Sequence, residues 1–72
     1  MKISYDEKYD TMYIKLVDEP VECRTLQLSE DVALNIGPNE KLVGIEILDA
    51  KQVIGQGKVP SVVLDNLKQA VA

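Results

Sequence analysis

The residues best suited to chemistry lie close to the N-terminus, where carboxylates and tyrosines are interleaved. Three acidic residues fall within five positions and three tyrosines surround them: Tyr5, Asp6, Glu7, Tyr9, Asp10 and Tyr13. Clustered carboxylates are able to bind a hard divalent cation or to act as an acid–base pair. The ligand order of a calcium loop is missing, however, and a hairpin turn in which Asp side chains accept backbone hydrogen bonds explains the same residues. We therefore predict a turn at 6–10.

A further ionisable residue, Glu46, stands inside an apolar stretch. If that stretch is a strand, Glu46 is either exposed on a polar face or paired with Lys15 or Arg24 on a neighbouring strand. A perturbed titration of Glu46 would indicate a functional role. We take the following residues as a candidate polar cluster: Tyr5, Asp6, Asp10, Tyr13 and Glu46.

The remaining reactive residue types are few. The chain has no histidine and one cysteine, Cys23, so it has neither an internal disulfide nor the ligands of a zinc site. We expect Cys23 to be an inert, buried strand residue. The glycines before Lys58 lack the spacing of a phosphate-binding loop. The sequence therefore predicts no cofactor and no metal, and it favours a protein that is not an enzyme.

Length and charge exclude several classes of protein. The chain has 72 residues, with 8 basic and 12 acidic side chains and a net charge of -4. That sign opposes phosphate-rich partners, and the basic residues are scattered singly, so we predict no nucleic-acid binding. No uninterrupted apolar stretch is long enough for a membrane span or a signal peptide, and the expected location is the cytoplasm.

Short alternating stretches separated by turn residues dominate the first fifty positions. They predict strands at 2–5, 11–16, 21–28, 32–36 and 42–48, with a hairpin connection at 37–40. Residues 5–16 also fit a helical period, but Thr11 and Ile14 favour a strand. Alternation in 21–28 is imperfect and suggests a bulge near Arg24 or apolar contacts on both sides. The prediction is a small antiparallel, meander-like β-sheet of four to five strands.

The stretch 42–48 is apolar on both sides, which is typical of a central or doubly covered strand. Gly44 within it indicates that another backbone or side chain approaches closely.

The last third of the chain has a different pattern. Residues 49–54 suggest one helical turn or a short strand extension, and 51–60 a linker. Residues 61–71 have apolar side chains at helical spacing behind Ser61, a suitable N-cap residue. A helix of this length is marginal alone, so we expect it to pack on the sheet or on a second subunit. The predicted fold class is α+β, a single domain with its sheet in 1–50 and its helix at 61–71.

Several segments resemble the YuzE-like family of small bacterial and archaeal domains of unknown function. These are the opening MKISYDEKYDTMYIKL, the stretch EDVALNI and the ending LVGIEILDA, which together span about residues 1–50. The resemblance implies a small antiparallel sheet followed by a helical or irregular tail. It implies no activity.

Two classes of function remain. The favoured one is a non-enzymatic interaction module that forms homo-oligomers, because a chain of this size buries only about 60% of its surface and gains little net stability alone. A sharper version is an acidic, antitoxin-like partner of a small basic protein. The alternative class is a minimal carboxylate or divalent-metal enzyme built on Asp6, Glu7, Asp10 and Glu46.

Overall fold

The computed structural model describes residues 1–18 and 21–65. Five strands, a short 3₁₀ turn and one short helix follow one another along the chain. Their bounds are β1 Lys2–Asp6, β2 Thr11–Lys15, β3 Arg24–Gln27, β4 Val32–Ile36, the 3₁₀ turn Pro38–Glu40, β5 Leu42–Ile47 and α1 Ala50–Val53. The α+β class and the antiparallel sheet are confirmed.

All five strands form one sheet in the order β1-β2-β5-β4-β3, and every neighbouring pair is antiparallel. The predicted meander is correct for β3, β4 and β5, but wrong for the sheet as a whole, because β5 lies between β2 and β4. The chain therefore crosses from β2 to the far edge before it begins β3. A strand that is apolar on both sides, as β5 is, gains most from the centre of a sheet, where neighbours flank it on both edges.

The predicted strands agree closely with the observed ones. The strand at 32–36 has the same bounds, and the connection at 37–41 joins β4 and β5 as a hairpin. The helical alternative for residues 5–16 is wrong, because these residues form β1, a turn and β2. Within residues 1–18 and 21–65, the one register shift lies between β4 and β5, not near Arg24. Strand β3 begins at Arg24 rather than at residue 21.

Gly44 allows a tyrosine to cross the central strand. A Cβ atom at this position would lie 2.6 Å from Cζ of Tyr13, so any larger residue would collide with the phenol ring. The close approach predicted for Gly44 is confirmed, and the approaching group is a side chain on β2.

Alternation divides the sheet into an apolar face and a polar face. On the apolar face Met12 and Ile47 pair across β2 and β5, and both pack with Ala50 of α1 in the core cluster. Among the described residues no large side chain is completely enclosed. The reason is that a single sheet is covered here by a helix of only four residues, whereas domains normally bury their core between two full layers.

The C-terminal helix requires a correction. The single helical turn suggested for 49–54 is present as α1, which overlaps the start of the predicted linker. Residues 61–65 have no regular secondary structure. The rest of the helix predicted at 61–71 lies outside the described residues. Val63 is 86% exposed and its neighbours Val62 and Leu64 are exposed too, so no buried surface stabilises a helix here.

Cys23 is a second correction. It precedes β3 and is exposed, so the expectation of a buried strand residue is wrong. Its thiol contacts the carbonyl oxygen of Val21 at 3.4 Å. In the described part of the chain, no helix is long and apolar enough to cross a membrane.

Candidate functional site

Asp10 connects the first hairpin to α1. The hydroxyl of Tyr5 donates a hydrogen bond of 2.7 Å to Oδ1 of Asp10. The backbone N–H of Lys51 donates to both carboxylate oxygens, at 3.1 and 3.2 Å, and the N–H of Ala50 donates to the Asp10 carbonyl at 3.0 Å. Asp49 precedes α1 without a side-chain cap, so the distant carboxylate of Asp10 satisfies an N–H group of the first turn.

The turn geometry explains why an aspartate suits position 10. Its φ angle is 53°, a left-handed conformation that Asp and Asn adopt more readily than most residues. From this position the backbone directs both the carbonyl and the carboxylate of Asp10 at α1.

The carboxylate of Asp10 also alters the acidity of its tyrosine partner. The hydrogen bond to Asp10 is the largest cause that raises the pKa of Tyr5, to about 12, with smaller contributions from burial and from the charges of Asp10, Glu7 and Asp6. Ionising Tyr5 would place a phenolate beside a carboxylate and remove the donated proton. The neutral phenol is therefore a hydrogen-bond donor across the whole physiological pH range.

Asp6 holds the turn between β1 and β2. Its Oδ1 accepts hydrogen bonds from the N–H of Lys8 at 2.9 Å and of Tyr9 at 3.2 Å. This is the backbone-bonding turn that the sequence predicts. The ammonium group of Lys8 lies 5.2 Å from the centre of the Tyr9 ring, a cation–π distance.

The other two members of the candidate cluster lie on the polar face. Tyr13 crosses Gly44, and its hydroxyl oxygen accepts a hydrogen bond of 2.8 Å from Nδ2 of Asn35 on β4. Glu46 is the cross-strand neighbour of Tyr13. It is exposed, which agrees with the prediction that it lies on a polar face rather than in an ion pair with Lys15 or Arg24. Arg24 pairs instead with Glu40, at 2.5 Å.

A shallow groove of about 390 Å³ brings four of the five candidate residues together. Asp10 is absent from its walls because that side chain turns towards α1. The groove is lined by Ser4, Tyr5, Asp6, Tyr9, Thr11, Tyr13, Glu46 and Leu48. Over residues 1–18 and 21–65, no three His, Cys, Asp or Glu side chains are placed to hold a metal ion.

Two groups with structural roles were not predicted from the sequence. Asn35 bonds the tyrosine that crosses the sheet, and an amide inside the apolar stretch 32–36 is the signal that marks it. The backbone N–H of Lys51 bonds Asp10 across 41 positions of sequence, and no local pattern indicates such a contact.

Fold and groove together define a small α+β domain built on one five-stranded antiparallel sheet, with a shallow groove lined by four of the candidate residues. The chain belongs to the family described as "protein of unknown function (DUF2283)", which matches residues 2–51. The matched range contains all five strands and the start of α1. No curated protein and no solved structure matches the chain.

Proposed function

We propose that this protein is a non-enzymatic interaction module that assembles with a second copy of itself. The observation that carries the proposal is a row of aliphatic side chains across the full width of the apolar face. Cross-strand pairing places one residue of each strand in this aliphatic row: Ile3, Ile14, Ile45, Leu34 and Leu26.

None of the five side chains in the aliphatic row is buried, although three of them are on the inner strands. Ile3 is 37% exposed and Leu26 42% exposed at the two ends. The parallel row that contains Met12 and Ile47 is different, because α1 packs against it. Ile14 and Ile45 in the aliphatic row also pack against this cluster, but they are only half-buried. The aliphatic row is thus a partly covered strip of the apolar face, and contiguous apolar surface of this kind is typical of an interaction site.

We propose a second copy of the chain as the occupant of the aliphatic row. A two-fold interface needs only one such surface, since the same row faces itself.

The proposal also concerns the relationship of this chain to YuzE-like domains. The family match covers nearly the same residues as the YuzE-like resemblance, which supports treating this chain as a YuzE-like domain. The shared region contains the whole aliphatic row, so the same assembly is expected of YuzE-like relatives that keep aliphatic residues at these positions.

A matched pair of variants on β1 tests the aliphatic row. Ile3→Glu puts a carboxylate on the apolar face, and Ser4→Glu puts the same charge on the opposite face one residue away. Both positions are exposed, so neither change removes a core side chain. Light scattering and sedimentation over a dilution series give the mass of each, and circular dichroism checks that each is folded.

We expect the wild type to assemble and Ser4→Glu to assemble with the same dissociation constant. The dissociation constant of Ile3→Glu should be at least about tenfold higher, because the interface would bury an unpaired carboxylate. A folded wild-type monomer throughout the micromolar range would reject the proposal. Equal assembly of the two variants would show that the aliphatic row is not the contact surface.

A further inference from the structure

Within the part of the chain that the structure describes, the outer edge of β3 has backbone hydrogen-bonding groups that no other strand pairs with. Among the described strands β3 pairs only with β4. The N–H of Leu28 donates to the carbonyl of Val32 at 2.9 Å, which fixes the alternation: even-numbered residues direct their backbone groups at β4. The N–H and C=O groups of Thr25 and Gln27 therefore point away from the sheet.

Apart from its short length of four residues, β3 lacks the devices that protect most edge strands. It contains no proline, lysine or bulge, and all four of its residues are exposed. Its one charged side chain, Arg24, is at its first position and paired with Glu40. The other edge strand, β1, has a charged residue at each end, Lys2 and Asp6. An unprotected edge is a template for pairing with another strand.

We propose that β3 pairs antiparallel with β3 of a second copy, about a two-fold axis that passes through Leu26. This inference rests on the proposed self-assembly and names a second contact within it. The pairing sets Leu26 beside the partner's Leu26. Thr25 of each copy then lies opposite Gln27 of the other, and the two pairs exchange four backbone hydrogen bonds.

This register joins the aliphatic rows of the two copies. Leu26 ends the row in each sheet, so placing the two leucines side by side makes one row of ten residues across ten strands. An axis at Thr25 would set Arg24 opposite Leu26 and interrupt the row with a charge. An axis at Gln27 would require Ser29 to pair with Thr25 of the other copy. The N–H of Ser29 already donates to the carbonyl of Val32 at 3.2 Å inside a turn.

Edge pairing and packing through the aliphatic row are compatible. The two-fold axis of an antiparallel pair of edges is perpendicular to the sheet, so both aliphatic rows stay on the same side and remain open. Two edge-paired dimers that pack through these rows form a closed tetramer with perpendicular two-fold axes.

Disulfide cross-linking distinguishes the three registers. In a Cys23→Ser background, which removes the native thiol, single cysteines are introduced as Thr25→Cys, Leu26→Cys and Gln27→Cys. Leu26 on the axis is in a non-hydrogen-bonded pair, with Cα atoms about 4.5 Å apart, within the range of a disulfide. Cysteines at 25 or 27 lie roughly 8 to 9 Å from their own copies. The full-length proteins are oxidised mildly and resolved on non-reducing gels.

We expect Leu26→Cys to become mostly covalent dimer, while the flanking variants and the Cys23→Ser background remain single chains. Cross-linking at 25 or 27 that equals or exceeds that at 26 would overturn the proposed register. Absence of cross-linking at all three positions, in a protein that still assembles, would reject edge pairing and leave the proposed function standing. A wild-type monomer would reject both.

Thr25→Pro gives an independent measurement. Proline at this position removes an N–H that points outward and leaves the backbone hydrogen bonds between β3 and β4 intact. It also removes the hydrogen bond of 3.4 Å that Oγ1 of Thr25 donates to Oδ1 of Asn35, so Thr25→Val is the matched control, which lacks the same hydroxyl but keeps the N–H. We expect the assembled mass of Thr25→Pro to fall to half that of the wild type, with an unchanged circular dichroism spectrum. An unchanged mass would contradict pairing through this edge.

Discussion

The hydroxyl of Tyr5 and the carboxylate of Asp10 are joined by a hydrogen bond of 2.7 Å, and the same carboxylate accepts the N–H of Lys51 at the start of α1. Two residues that the sequence marks as candidates for chemistry thus hold the helix against the first hairpin. Since α1 covers the core residues Met12 and Ile47, this contact controls how well the small core is closed.

Removal of the Asp10 carboxylate is expected to destabilise the fold. Asp10→Ala leaves Tyr5 and Lys51 without their acceptor and puts alanine at a φ of 53°, so we expect a loss of about 2–4 kcal/mol in the free energy of unfolding. Asp10→Asn keeps an acceptor and suits the backbone, and its expected cost is about 1 kcal/mol. Urea denaturation measures both. A loss below about 0.5 kcal/mol for Asp10→Ala would contradict the role assigned to Asp10.

Stability is expected to fall at alkaline pH because of Tyr5. Its pKa is raised from 10.0 to about 12 in the folded protein. The folded state therefore keeps a proton that the unfolded state loses as the pH rises from 10.0 to about 12, so this contribution to stability is complete below pH 10.0 and disappears through that window. Thermal melts from pH 8 to 12 should show a steeper fall for the wild type than for Tyr5→Phe.

Tyr9→Phe is the control for the alkaline titration, because Tyr9 is exposed and its hydroxyl is not bonded to a carboxylate in the described structure. The control should retain the wild-type pH dependence. The ultraviolet absorbance change caused by ionisation of Tyr5 should be present in the wild type and missing in Tyr5→Phe. An equal alkaline fall in Tyr5→Phe and the wild type would contradict the prediction.

Gly44→Ala is expected to destabilise the sheet by about 1–3 kcal/mol, because the added Cβ overlaps the ring of Tyr13. The penalty should shrink in a Tyr13→Ala background, where the colliding ring is missing. A double-mutant cycle from denaturation curves gives the coupling between the two positions. Additive effects would show that the collision is not the cause.

The degree to which sequence predicted structure depends on the distance between interacting residues. Strand β4 and the hairpin after it follow from residues near one another, through side-chain alternation and turn chemistry. A glycine inside an apolar strand predicts that some group approaches closely at position 44, but not that the group is the ring of Tyr13. The burial of Cys23 and the helix over 61–65 were predicted wrongly, since both depend on what surface lies next to them. Of the candidate cluster, Tyr5, Asp6, Tyr13 and Glu46 line one groove, whereas Asp10 bonds α1, a contact that no local pattern indicates.

The sequence by itself determined an acidic, single-sheet α+β domain with its strands in the first fifty residues, because alternation and turn residues act over a few positions. Only the tertiary structure decided the strand order, the bond from Asp10 to Lys51 and the aliphatic row from Ile3 to Leu26. Each of these depends on residues that are far apart in the chain. They meet only when five strands pair in one particular order, and no local pattern encodes that order.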